Sequence, residues 1–86
     1  MNWNLHLNER IRKNLRRFPR KDQIRINGVL LEMSKEGPYS GDLVKLDSEE
    51  NLWRLRIGAY RIKFQIRNKD RIIYVYEIER RTSKTY

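Results

Sequence analysis

LWRLRIGAYRIKFQI, residues 52–66, decides the fold. Large apolar side chains take every second place, with Trp53, Leu55 and Ile57 before Gly58-Ala59 and Tyr60, Ile62 and Phe64 after it. A period of two is the pattern of a half-buried strand, and a two-residue Gly-X loop joins antiparallel strands with the twist a hairpin needs. The loop length fixes the register, so Ile57 faces Tyr60, Arg56 faces Arg61 and Arg54 faces Lys63. One face of the hairpin turns its apolar residues to a core. The other carries Arg54, Arg56, Arg61 and Lys63.

Like charges placed directly opposite destabilise a sheet by a few tenths to about 1 kcal/mol per pair. Two such pairs on one face make sense where an anion normally lies between them, because the Arg fork matches both phosphate and carboxylate. A plainer reading is that Lys and Arg on a solvent-facing strand deter edge aggregation. A face built for solubility would more naturally alternate its signs across strands.

Working outward, residues 43–46 read as one short strand, DSEEN (47–51) as a polar turn and RIIYVYEI (71–78) as the last strand of a meander. GPYSGD (37–42) is a loop. Before it, residues 20–34 read as a helix burying Ile24 and Leu31 together with the neighbouring row Ile26, Leu30 and Met33. Gly28 inside that helix costs about 1 kcal/mol relative to Ala. An earlier helix is capped by Asn8, with Glu9 in its first turn. Its apolar stripe is Ile11, Leu15 and Phe18, while Arg10, Lys13 and Arg17 share another face, and Pro19 ends it or opens the next helix. Trp3, Leu5 and Leu7 alternate with Asn2, Asn4 and His6 as a first strand added at a sheet edge. The expected fold is α+β: an N-terminal strand and a two-helix hairpin packed on a twisted antiparallel sheet, in a single domain over residues 1–86.

Twenty Lys and Arg against eleven Asp and Glu give a net charge of +9, which points to a polyanionic partner. The charge is clustered. Eight cations lie in residues 10–25 and seven in 54–71, while residues 32–50 hold six acids and only Lys35 and Lys45. With no cysteine and only His6, thiol chemistry, the usual zinc constellations and a Ser/His/Asp relay with a spare base are excluded, and neither a metal nor a cofactor is expected. No apolar run approaches the roughly 18 residues of a membrane span. The opening MNWNLHLNER lacks the order of a signal peptide, so a cytoplasmic protein with no membrane partner is expected. At the other end, ERRTSKTY (79–86) is expected to bring Arg80, Arg81, Lys84 and Tyr86 to the border of the cationic face, the Tyr ring being available for stacking on a base.

LVKLDSEENLWRLRIGAYRIKFQI (43–66) resembles the RelE/ParE superfamily of bacterial and archaeal toxin–antitoxin toxins, and more closely its RelE-like ribonuclease branch. It has the Leu, short loop, aromatic, Arg-x-Arg, Gly and Tyr-Arg hairpin of that family, followed by a strand, a basic cluster and a closing Tyr. The resemblance implies the RelE-like microbial RNase fold and a toxin that enters the ribosomal A site and cuts translated mRNA without a metal. The ribose 2′-hydroxyl would attack the adjacent phosphate and leave a 2′,3′-cyclic end and a 5′-hydroxyl. It further implies an acidic cognate antitoxin, and operator DNA as a partner only through the antitoxin complex.

Carried over residue by residue, the resemblance makes Arg61 the clamp on the phosphate. Arg54 and Arg56 match positions that are lysines with base and clamp roles in one subgroup. Tyr86 matches the closing tyrosine, and Arg80 or Arg81 stands where another subgroup has a His. Lys63, Lys84, Arg10, Lys13 and Arg17 are expected to bind RNA. Arginine is a poor base, so the general base is unassigned, with a lysine of depressed pKa at Lys63 as one candidate. Two other readings stay open: a ParE-like gyrase inhibitor, which needs no phosphate chemistry, and a non-catalytic RNA- or ribosome-binding module.

Overall fold

In the computed structural model, which describes residues 2–39 and 41–81, seven elements follow one another. They are β1 (Asn4–Leu7), α1 (Glu9–Arg16), α2 (Arg20–Glu36), β2 (Asp42–Asp47), β3 (Leu52–Ile57), β4 (Tyr60–Arg67) and β5 (Ile72–Arg80). The strands form one sheet in the order β1-β5-β4-β3-β2. From β2 to β5 it is an antiparallel meander, and β1 adds at the far edge parallel to β5, pairing Asn4 with Ile72 and Leu7 with Val75. The sheet is therefore mixed at that one edge.

The central hairpin has the register its loop length requires: Ile57 pairs with Tyr60, Arg56 with Arg61 and Arg54 with Lys63. Gly58 has φ 58° while Ala59 does not enter the left-handed region, as a Gly-X turn demands. A Cβ at Gly58 would also lie 2.8 Å from a guanidinium nitrogen of Arg25, which reaches over the turn from α2.

Both helices pack on one sheet face. Ile11 and Leu15 of α1 and Ile26, Leu30 and Met33 of α2 bury against Leu55, Ile57, Tyr60, Ile62, Phe64 and Ile66 of the hairpin and Ile73, Val75 and Ile78 of β5. The Asn8 side chain caps α1 by accepting from the Ile11 N–H at 2.8 Å. Gly37, at φ 102°, ends α2 and donates its N–H to the Met33 carbonyl.

The reading of α2 needs one correction. Ile24 and Leu31 are not buried; they are 63% and 56% exposed. At 3.6 residues per turn they lie about 140° around the helix from the Ile26, Leu30 and Met33 row, and a single sheet covers only one side of a helix lying on it.

β5 contains a bulge that alternation does not announce. Phe64 pairs with Val75 but Lys63 pairs with Glu77, leaving Tyr76 as the extra residue. The bulge reverses the parity of the strand. Ile78 rather than Glu77 turns to the core, and Glu77 and Glu79 turn to the open face. Beyond Val75, where β1 has ended, α1 covers the bare edge of β5. Arg10 Nη2 donates to the Tyr76 carbonyl at 3.2 Å and Asn14 Nδ2 to the Ile78 carbonyl at 2.9 Å, satisfying edge acceptors that would otherwise invite another strand.

Candidate nucleic-acid interface

The open face of the sheet is ordered in cross-strand rows. One row runs Val44, Arg54, Lys63, Glu77, and the next runs Asp42, Arg56, Arg61, Glu79. Directly opposed side chains on neighbouring strands have Cβ atoms about 4.5–5.5 Å apart, so the four cations form a block two strands wide. Carboxylates flank it. Arg54, Arg61 and Lys63 are half-buried, and the Nε atoms of Arg54 and Arg61 are buried without a hydrogen-bond partner. The guanidinium forks of Arg54, Arg56 and Arg61, carried on one face of the hairpin, match the geometry of an oxyanion.

Lys63 does not have the depressed pKa proposed for a base. Burial opposes its charge, but hydrogen bonds and charge attraction from Glu77 and Glu79 outweigh burial and hold it above 10.5. Its Nζ lies 3.3 Å from Glu77 Oε1 and 3.5 Å from Glu79 Oε1. The lysine is a fixed cation. Burial also raises the pKa of the Tyr76 hydroxyl above 10.0, with Lys63 opposing and Glu77 adding, so a neutral phenol stands at the bulge beside the ion pairs.

Not every expected residue joins this block. Arg80 pairs with Tyr60 and stacks its guanidinium 5.8 Å from that ring, which places it on the helix side of the sheet. Arg81 is exposed and donates its backbone N–H to the Ala59 carbonyl at 2.6 Å, pinning the end of β5 against the hairpin turn. Arg10, Lys13 and Arg17 line a separate cleft on α1 with Asn14, beside the edge of β5, where Arg10 is already engaged with the Tyr76 carbonyl. Lys84 and Tyr86 lie outside the described residues.

Glu77, Glu79 and Tyr76 are site residues that the sequence reading missed. The signal for them is the spacing of three between the apolar residues Val75 and Ile78, which an uninterrupted strand cannot turn to one face. Among the described residues, no cluster of His, Asp or Glu could hold a metal ion. No helix there is long and apolar enough to cross a membrane.

A two-helix layer on a five-stranded sheet, with a cationic outer face built on the central hairpin, is the RelE-like α+β fold. It superposes with a TM-score of 0.83 on a chain of the archaeal RelE–RelB complex from Pyrococcus horikoshii, at 22% identity over 98% of this chain and 100% of that one. The toxin–antitoxin complex RelBE2 from Mycobacterium tuberculosis gives 0.77 at 17% identity, covering 94% of this chain and 100% of that one. The isolated E. coli RelE toxin gives 0.76 at 18% identity, with coverage of 95% and 87%. In sequence the chain is 29% identical over 84 residues to "Putative toxin RelE1" of Methanocaldococcus jannaschii, covering 94% of this chain and 92% of that protein. No family model matches the chain. The resemblance read from residues 43–66 thus extends over nearly the whole length, and the chain is RelE-like in sequence and in fold.

Proposed function

We propose that this chain is the toxin of a toxin–antitoxin system, and that it is a metal-independent endoribonuclease cutting mRNA in the ribosomal A site. The observation that carries the reading is the block of Arg54, Arg56, Arg61 and Lys63, four cations directly opposed in two pairs on the outer face of the hairpin. A pentacoordinate phosphate concentrates negative charge where such donors are worth most. Arg61 is the principal clamp, Arg54 and Arg56 support it, and Lys63 adds a fixed positive charge. Arg81 lies at the hairpin end of the same sheet, and the roles of Arg80, Lys84 and Tyr86 belong to the same proposal.

In the proposed reaction the 2′-oxygen bonds to phosphorus as the bond from phosphorus to the 5′-oxygen breaks. A base takes the 2′-hydroxyl proton, and the departing 5′-oxygen is protonated. The products are a 2′,3′-cyclic phosphate and a 5′-hydroxyl.

The partners proposed are the ribosome with its mRNA in the cytoplasm and an acidic antitoxin, with operator DNA reached only through the antitoxin complex. One neighbour in fold is held in a RelE–RelB complex and another in the toxin–antitoxin complex RelBE2, and a domain of net charge +9 needs a neutralising partner to avoid nonspecific RNA binding. Expression in cells followed by mapping of mRNA 5′ ends tests the reading. Cuts phased with codons are expected. DNA damage with intact mRNA would indicate a gyrase inhibitor instead, and translation arrest with neither would indicate a binding module.

A further inference from the structure

The proposed reaction needs a proton acceptor beside the clamp, and the cationic residues do not supply one. Arginine keeps its proton in proteins, and Lys63 is held charged by its two carboxylates. His6 of β1 lies on the open face, paired with Tyr74 of β5. That position is two strands and four residues away from Arg61, or about 16 Å from strand geometry. What the bulge of β5 does bring to the block is a pair of carboxylates.

We propose that Glu79 is the general base, resting on the ribonuclease reading above. Its Cα is the direct cross-strand partner of Arg61, so a phosphate gripped by Arg61 has its adjoining ribose within one side-chain length of the Glu79 carboxylate. The carboxylate is partly exposed, 37% by side chain, and therefore open to a substrate hydroxyl. Lys63 orients it from 3.5 Å and is itself held at 3.3 Å by Glu77. Glu77 faces Lys63 rather than Arg61, which separates the two acids by role. In the step itself the 2′-hydroxyl proton passes to Glu79 as the 2′-oxygen to phosphorus bond forms. The phosphorus to 5′-oxygen bond breaks, and the leaving oxygen takes its proton from water.

A carboxylate on an RNA-binding face could alternatively do no more than repel the substrate, and the two roles predict opposite results. The test is single-turnover cleavage of ribosome-bound mRNA by the purified wild-type chain and by Glu79→Gln, Glu79→Asp and Glu77→Gln, with co-sedimentation reporting ribosome affinity and thermal melting reporting the fold. A base at Glu79 predicts that Glu79→Gln cleaves roughly 100-fold more slowly or worse, at unchanged or tighter affinity. Glu79→Asp should recover part of the rate, and Glu77→Gln should lose less than Glu79→Gln. A smaller loss in Glu79→Gln, or equal losses in the two Gln variants, overturns the assignment while leaving the ribonuclease reading intact. A wild-type chain that does not cleave overturns both.

Discussion

Tyr60 is the residue at which the hairpin is fastened to the helical layer. Its ring packs 4.7 Å from Phe18 and its hydroxyl donates to Asp22 Oδ2 at 2.7 Å, tying β4 to the start of α2. A hydrogen bond to a charged acceptor contributes about 1.5–3 kcal/mol, so Tyr60→Phe should lower the unfolding free energy by about 2 kcal/mol at pH 7. Burial, then the bond to Asp22 and its charge, raise the phenol pKa above 10.0 against a smaller pull from Arg80. The unfolded chain ionises first, so this stabilisation is complete below pH 10 and is lost as pH rises through the folded-state pKa. Denaturant titrations from pH 7 to 11 should find the gap between wild type and Tyr60→Phe closing at the alkaline end. Arg61 carries a different kind of weight. Arg61→Ala relieves the like-charge pairing with Arg56, so the fold should survive, and if the proposed ribonuclease reading holds, mRNA cleavage in the end-mapping assay should fall by about 100-fold or more.

At the scale of elements, the hairpin was legible because a two-residue loop leaves one register, and its four cations follow from that register alone. The second helix was legible in extent but not in orientation. Its sequence offers apolar residues on two sides, and only the sheet's position selects Ile26, Leu30 and Met33 over Ile24 and Leu31. The acidic half of the candidate site was marked only by the spacing of three between Val75 and Ile78, because one extra residue in β5 inverts the parity of everything after it and no turn residue announces it. Gly28 sits on the exposed side of α2 with nothing within 4 Å of where a Cβ would stand. Its helical conformation suits any L-residue, so Gly28→Ala should stabilise the chain by about 1 kcal/mol, read as a higher denaturation midpoint at unchanged slope.

At the scale of the molecule, a net charge of +9 does not by itself say where a polyanion binds, because the cations are divided between α1 and the sheet face. Counterion release distinguishes them. Each phosphate neutralised on a single strand changes the slope of log K against log salt by about −0.7. If the four cations of the hairpin are the contact, a short single-stranded RNA should bind with a slope of about −3. The double variant Arg54→Ala/Arg61→Ala should then flatten that slope by roughly 1.4, whereas neutralising Lys13 and Arg17 should leave it nearly unchanged. Fluorescence anisotropy between about 50 and 200 mM salt, the range over which phosphate contacts separate most clearly, reads both. The opposite pattern would move the interface to the first helix. There Arg10 is already bonded to the edge of β5, and the paired cations of the hairpin would then owe their positions to something other than nucleic acid.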